Sequence, residues 1–475
     1  MLSLPGASAL AFGQARSTVT RRDRGRARPA RRLLAAALAA TLALAAPAPA
    51  AGQGLIRDAG GEYALRQIAG PVLSAAGLSS GRVRVLMIGD NSMNAFVADA
   101  RTILVHTGLI LRLDSADELL AVIAHEAAHI ANGHLARRLT NARGAAQGAF
   151  AGLLLGLAAG VAGAGGEAAA GIAAGTAGSA QRLFLSHTRA EEAAADQSGV
   201  RYMAAAGADP AATLDVLDLF RGQELLGPER QDPYARTHPL SRDRLRALRG
   251  YVAAQGPPAP SAGRDSAEYW FGRVQATVAG FMQNPATTLR RYPASDTSDA
   301  GRIARAAAYH RRADTTRALA EIDALLARRP DDAYAHDLRG QILLESRRFE
   351  AAVNAYRRAA ALAPSEPLIL AGLGRALVAL DTPAANREAL AVLERAQARD
   401  GADPRMLRDL AVAYARAGQG GMASVVTAER YALVGRLPDA AIHARRAEGL
   451  LPRGSPGWLR AQDVLGAAEA AANRR

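Results

Sequence analysis

Two different rhythms of apolar and polar positions divide the chain. In the first half, Val83-Arg84-Val85-Leu86-Met87-Ile88 is a β-branched and apolar run closed by Gly89-Asp90-Asn91, and residues 94–97 and 102–106 read as further short strands. A long helix follows this small sheet. Ser115 is placed to cap it, with Glu118 three residues on to reach back as the other half of a capping box, and the pattern carries the helix to about Arg138. From residue 301 onward the pattern is helical throughout and repeats itself. Pro330 recurs as Pro364, and Gly340 as Gly374, at a single period of about 34 residues. Ala318, Ala352 and Ala389 take the small contact position between paired helices, with Tyr356 and Leu393 four residues after the latter two. Later copies, around 410–428 and 431–452, are more degenerate.

Between these regions Gln255-Gly256-Pro257-Pro258-Ala259-Pro260-Ser261 reads as a linker, and residues 265–300 are poorly patterned. The expected division is therefore 51–254 as a first folded domain, 255–300 as linker and connecting helices, and 301–475 as the repetitive domain. Ahead of them, Arg31-Arg32, the uncharged run 33–46 and the small residues Ala48 and Ala50 make 1–50 a signal peptide cleaved after Ala50. Its apolar run is shorter than the ~20 residues of an ordinary spanning helix; an uncleaved anchor is the other reading. Gly144, Gly148, Gly152, Gly156 and Gly160 mark an uncharged stretch in which small residues every fourth position let helices approach closely. A buried or membrane-grazing helical hairpin over about 144–180 is expected there, against a true membrane span or a loop.

Composition narrows the chemistry. The chain has 475 residues, 49% apolar and 21% charged with few aromatics, which suits a mostly helical folded protein and excludes a disordered polymer. It has no cysteine, so no disulfide framework, thiolate metal site or cysteine nucleophile exists, and a metal would need His, Asp or Glu. The formal charge of +14 invites nucleic acid as a partner, but eight arginines against one aspartate ahead of Leu33 supply half of it. No basic run interleaved with aromatics appears, and nucleic-acid binding is not expected.

The long helix carries His125-Glu126-Ala127-Ala128-His129. Two histidines four apart sit about 40° apart around a helix, so both imidazoles can face one zinc ion, with the glutamate between them as base. A metzincin would need glycine at 132 and histidine at 135, where this chain has Asn132 and Leu135; His134 is out of register and reads as a packing contact. Further on, Glu192 and Asp196 lie four apart on one helical face. Glu192 can complete a His, His, Glu set and Asp196 can accept the free N–H of a ligating imidazole, although alone the pair would read as an exposed acidic face.

Taken in order, His125-Glu126-Ala127-Ala128-His129, then Arg189, Glu192, Ala195 and Asp196, then Thr237-His238-Pro239-Leu240-Ser241 with Arg244, resemble the zinc endopeptidases that include the heat-shock membrane protease HtpX and the prenyl-protein proteases. The resemblance spans about 80–250. It implies a gluzincin-type domain with one zinc per chain on His125, His129 and Glu192, Glu126 as general base and Asp196 behind the ligands. His238 is then a donor to the oxyanion or a fourth ligand that keeps the enzyme latent, the plain alternative being a surface histidine at a helix start. The strand at 94–97 resembles that family's edge strand, which would pair with extended polypeptide; an ordinary core strand is the alternative. The period of the second half is that of tetratricopeptide repeats, so the expected fold is mostly α, with a small β-sheet in the peptidase domain and an α-solenoid after it. Signal, peptidase and repeats in that order resemble the periplasmic β-barrel assembly-enhancing proteases of Gram-negative bacteria. That implies unfolded or misassembled polypeptides as substrates, the outer-membrane β-barrel assembly machinery as partner, and peripheral membrane contact as a further option. The competing reading is a chaperone or assembly scaffold with a silent zinc site.

Overall fold

The structure is a computed structural model, and it describes residues 54–79, 81–134, 136–137, 188–227, 230–258 and 261–473. The expected signal peptide, 1–50, and the expected hairpin over 144–180 lie outside the described residues. Residues 53–475 form one unit. Within it, β1 (Leu55–Ile56) and α1 (Ala59–Ala75) lead to β2 (Arg84–Ile88), β3 (Ala95–Asp99) and β4 (Thr102–His106), then to α2 (Thr107–Arg112) and α3 (Ala116–Ala131). The sheet order is β1-β2-β4-β3, with β2 and β4 parallel and β3 antiparallel to β4, so β3 is an edge strand. Val85, Met87, Ile103 and Val105 enter one core with Leu65 and Ile68 of α1 and Leu119 and Ile123 of α3.

Helix α3 is buried almost all round, as a helix with alanine and leucine on every face must be. Its start is half of the expected capping box. Ser115 Oγ accepts the Glu118 N–H at 3.2 Å, but the Glu118 carboxylate accepts from the Asp114 N–H at 2.7 Å and not from Ser115. Its end falls at Ala131, well before Arg138, because Asn132 caps it and Gly133 turns the chain at φ 69°, a left-handed conformation glycine adopts without strain. Helix α4 (Arg189–Ala205) opens on a complete capping box between Thr188 and Glu191. It can lie close on α3 because Gly199 has no side chain: a Cβ there would sit 3.4 Å from the main chain of Ala124 and His125.

Four helices finish this part of the molecule and lead into the next: α5 (Ala212–Leu219), α6 (Pro233–Thr237), α7 (Arg242–Gln255) and α8 (Ala262–Met282). Helix α8 fills much of the region that lacks a clear sequence pattern. It buries two faces at once. Phe271, Val274 and Val278 join the core beneath the sheet, Ala276 joins the first repeat helices, and Gly280 lets Ala307 approach closely. A helix packed on two sides has no single apolar stripe to read. Trp270 on α8 meets Tyr63 of α1 edge-on at 4.9 Å and Tyr334 of the repeats at 6.3 Å.

After the short α9 (Pro285–Arg291) come ten helices: α10 (Asp299–Arg311), α11 (Thr315–Arg328), α12 (Ala333–Glu345), α13 (Phe349–Leu362), α14 (Pro367–Leu380), α15 (Pro383–Arg399), α16 (Pro404–Arg416), α17 (Gly420–Leu433), α18 (Leu437–Leu450) and α19 (Pro456–Ala472). The repeat period has a packing cause. The Tyr356 ring is held between Gly340 and Gly372, and Leu393 fills the space left by Gly374. Ala318, Ala352 and Ala389 are fully buried. The turns inside successive pairs are left-handed at Ala313, Arg347 and Asp381, each one period after the last, and later at Gly418 and Gly435. Those last two are only half a period apart, so α17 pairs on both sides, and the later copies lose the regular spacing for that reason.

The repeats fold back on the first part of the chain. Arg57 is buried between Glu62 and Asp400, Arg66 reaches Glu366 at 2.9 Å, and Arg273 is buried against Asp332. A cavity of about 360 Å³ lies in this junction, lined by Arg57, Met87, Phe281, Asp337, Tyr356 and Arg375 among others. Among the described residues no helix is long and apolar enough to cross a membrane.

Candidate metal centre

One turn of α3 puts the imidazoles of His125 and His129 side by side, with Nε2 atoms 3.1 Å apart. Helix α4, drawn in at Gly199, brings the Glu192 carboxylate to them: Oε1 is 3.4 Å from His129 Nε2 and Oε2 is 3.5 Å from His125 Nε2. The third contribution comes from the end of α6. His238 is 2% exposed, not a surface residue, and its Nδ1 lies 3.3 Å from His125 Nε2 and 2.9 Å from Glu192 Oε1. Donor atoms of His125, His129, Glu192 and His238 all fall within 4.8 Å of one another, and all four residues are buried.

That spacing tests whether a zinc ion fits. Zinc takes four nitrogen or oxygen ligands tetrahedrally at ~2.0–2.2 Å, which sets neighbouring donors about 3.3 Å apart. Five donor separations, counting either Glu192 oxygen, are 2.9–3.5 Å, close to those edges, and one donor atom from each residue can be chosen with all four within 4.8 Å. The donor set, three imidazoles and a carboxylate, is one zinc accepts. Glu126 is wholly buried beside it, with Oε1 3.4 Å from His238 Nε2.

Behind the four lies a layer that orients them. Asp196 Oδ1 is 3.1 Å from His125 Nδ1, so the carboxylate can hold that N–H and leave Nε2 turned toward the cluster. Arg244 is buried and donates to both Asp196 oxygens at 2.6 and 2.8 Å, while its Nη1 lies 2.7 Å from Glu192 Oε2 and 3.2 Å from the His238 carbonyl. His134 meets His129 through their Nδ1 atoms at 2.8 Å. The Tyr234 ring lies between Phe220 at 4.9 Å and His238 at 4.5 Å.

Charges follow from these contacts. Burial alone would neutralise Glu192, but its interaction with His238 and hydrogen bonds from the three histidines keep its carboxyl well below the usual range, hence ionised. Burial pushes His129 well below the ordinary histidine value, so it is neutral as a ligand must be. Burial also works against charge on His125, yet hydrogen bonds to Asp196 and Glu192 outweigh it and push the imidazole up to about 10. The two carboxylates thus favour a positive charge on or beside His125, and a bound cation would take that place with the imidazole neutral.

His125, Glu126, His129, Glu192, Asp196 and His238 are thus brought together from α3, α4 and the end of α6. His134, expected as a packing contact, makes one with His129; Arg244 was visible only as part of a motif, and Tyr234 carried no signal in the sequence. For His134 the signal was present in Asn132-Gly133, a helix stop that turns the next residue back toward His129.

Residues 62–252, which carry this buried His-Glu cluster, match peptidase family M48. Those residues are thus similar to the M48 peptidases. Over a longer span the chain is similar to the beta-barrel assembly-enhancing protease of Yersinia pestis, 28% identical over 365 residues that cover 74% of this chain and 72% of that one. The beta-barrel assembly-enhancing protease of Escherichia coli K12 is 26% identical over 361 residues, with the same coverage of each chain. A solved thermophilic TPR protein from Thermus thermophilus is 18% identical and covers 38% of this chain and 98% of its own, at a TM-score of 0.23, too slight a likeness to inform the fold.

Proposed function

We propose that this chain is an exported zinc endopeptidase that cuts unfolded or misassembled envelope proteins, held latent by His238. The observation that carries it is the set of four donor atoms within 4.8 Å, with the Glu126 carboxylate beside them. His125, His129 and Glu192 would hold the zinc, which when bound supplies Lewis acidity to a scissile carbonyl and to the attacking water. Glu126 takes the proton of that water and returns it to the leaving amine. Asp196 fixes the His125 ring, and Arg244 fixes Asp196, Glu192 and the His238 main chain together. His238 Nδ1 points at the ligand atoms and not outward to a substrate carbonyl, which favours the latch over the oxyanion donor. With its Nε2 facing Glu126, the same ring stands between the base and any substrate.

Substrate enters by pairing with β3, whose edge position leaves one side open to a polypeptide strand. Peptidase domain 51–254, connecting helices 255–300 and repeats 301–475 then divide the work. The repeats dock clients or the outer-membrane barrel assembly machinery, a role supported by the names of the relatives, and the segment 1–50 directs export to the periplasm. Glu126→Gln tests the chemistry: the expected result is a fall of about 10²–10⁴-fold in casein hydrolysis with zinc retained. A wild-type rate would remove Glu126 from the reaction. His238→Ala tests the latch and is expected to raise basal proteolysis, whereas lower turnover with zinc retained would return His238 to the oxyanion role.

A further inference from the structure

The edge that a polypeptide would use is already taken at one end. The His106 N–H donates to Asn94 O at 2.9 Å, and β3 and β4 pair as Ala95 with Val105, Phe96 with Leu104 and Val97 with Ile103. In an antiparallel pair of this register, residues 94 and 96 turn their N–H and C=O toward β4, and Met93, Ala95 and Val97 turn theirs to the outer edge. At Met93 both outer groups are engaged. The Tyr234 N–H donates to Met93 O at 3.4 Å, and the Met93 N–H donates to Asp232 Oδ1 at 3.3 Å. Asp232 is itself clamped by Gln223 through bonds of 2.7 and 2.8 Å. Ala95 is wholly buried and Val97 half-buried, so the edge is closed at the Met93 end and opens only toward Val97. The segment that closes it ends in His238, whose N–H donates to Tyr234 O at 2.8 Å and whose ring packs on Tyr234.

We propose that residues 232–234 act as a stand-in for substrate on the outer edge of β3, and that an extended polypeptide long enough to pair from Val97 back to Met93 displaces them and draws His238 out of the ligand cluster. This rests on the reading of His238 as a latch and adds what opens it. The two bonds surrendered at Met93 are long, whereas each outward-facing residue of an added strand brings a pair of ladder bonds. Tyr234 and His238 are tied by a main-chain bond and a ring contact, so they move together, and Arg244 at the His238 carbonyl is the pivot. The partner surface therefore selects on main-chain extension and length. A segment of about five extended residues fits it, with loose demands on side chains. Peptides that reach only Val97 bind without opening the site.

The test uses full-length Glu126→Gln with zinc, so that peptides stay intact, and hydrogen–deuterium exchange as the readout. Three probes are compared: a capped ten-residue Thr-Val repeat, the same peptide with alternate amides N-methylated, and a capped Val-Thr-Val. The expected result is that the unmodified ten-residue peptide slows exchange over 93–98 and speeds it several-fold over 230–240, while the other two leave 230–240 unchanged. Slower exchange over 93–98 with 230–240 unchanged, or no effect at either, would overturn the proposal. Basal casein hydrolysis separates the two layers of inference in the otherwise wild-type chain. If His238→Ala raises it and Asp232→Ala does not, the coupling is wrong and the latch stands; if His238→Ala fails to raise it, the latch itself is wrong. A rise with both variants supports the coupling.

Discussion

Arg244 ties together three parts of the site, Asp196, Glu192 and the His238 carbonyl. Its guanidinium is buried with two carboxylates, and although burial disfavours its charge, the hydrogen bonds and charges of Asp196 and Glu192 hold it protonated. Removing one member of such a buried set leaves the others uncompensated, which costs about 3–5 kcal/mol. Arg244→Leu is therefore expected to lose that much stability in urea denaturation of the zinc-free chain, with weaker zinc binding; a loss under about 1 kcal/mol would mean that solvent reaches the carboxylates. His125, Glu126 and His129 were legible in the sequence because a helix fixes the spacing that a metal needs. His134 was legible as a packing contact and not a ligand, but the side chain it meets was not, since a straight helix points it away and only the turn at Gly133 brings it back to His129. Arg244 stood out as part of a motif, but its partners Glu192 and Asp196 sit on a different helix far back along the chain, and no local pattern encodes that contact.

Helix α4 reaches α3 through one missing side chain. A Cβ at Gly199 would make ordinary contact with the α3 main chain, so Gly199→Ala is expected to keep the zinc site, whereas Gly199→Leu has nowhere to put its remaining carbons. Overpacking of that kind costs about 1–3 kcal/mol. Thermal melting and zinc titration of the pair of variants check it: the leucine variant should melt lower and bind zinc more weakly, and equal behaviour of both would show that the helices can separate freely. At this scale the strands 84–88, 95–99 and 102–106, the active-site helix and the first repeats were all readable from period and turn residues. Helix α8 was not, because it serves two cores, and the last repeats were not, because α17 is shared between two pairs.

The two halves of the molecule are joined by buried ions. The division of the sequence into 51–254 and 301–475 would allow 301–475 to be deleted with the first domain left folded and active. The structure changes that expectation, since the deletion strips Asp400 from Arg57, Asp332 from Arg273, and the covering helices from Ala276 and Gly280. The truncated chain is expected to lose solubility and zinc together; retention of both would show two independent folding units. A gentler check is a double-mutant cycle of Arg57→Ala and Asp400→Ala, where residues in direct contact couple by about 0.5–3 kcal/mol and unlinked ones do not. None of these contacts could be read in advance. Arg57 and Asp400 belong to opposite halves of the sequence, and Arg273 lies in the region without pattern. The junction also carries its own optical reporter. The chain has two tryptophans, Trp270 and Trp458, and the first is wedged among Tyr63, Tyr334 and the Arg273 guanidinium 5.1 Å away where α1, α8 and the repeats meet. With Trp458→Phe as the background, the colour of its emission would follow whether the solenoid stays closed on the peptidase or swings away, watched in real time as a client or a docking partner is added.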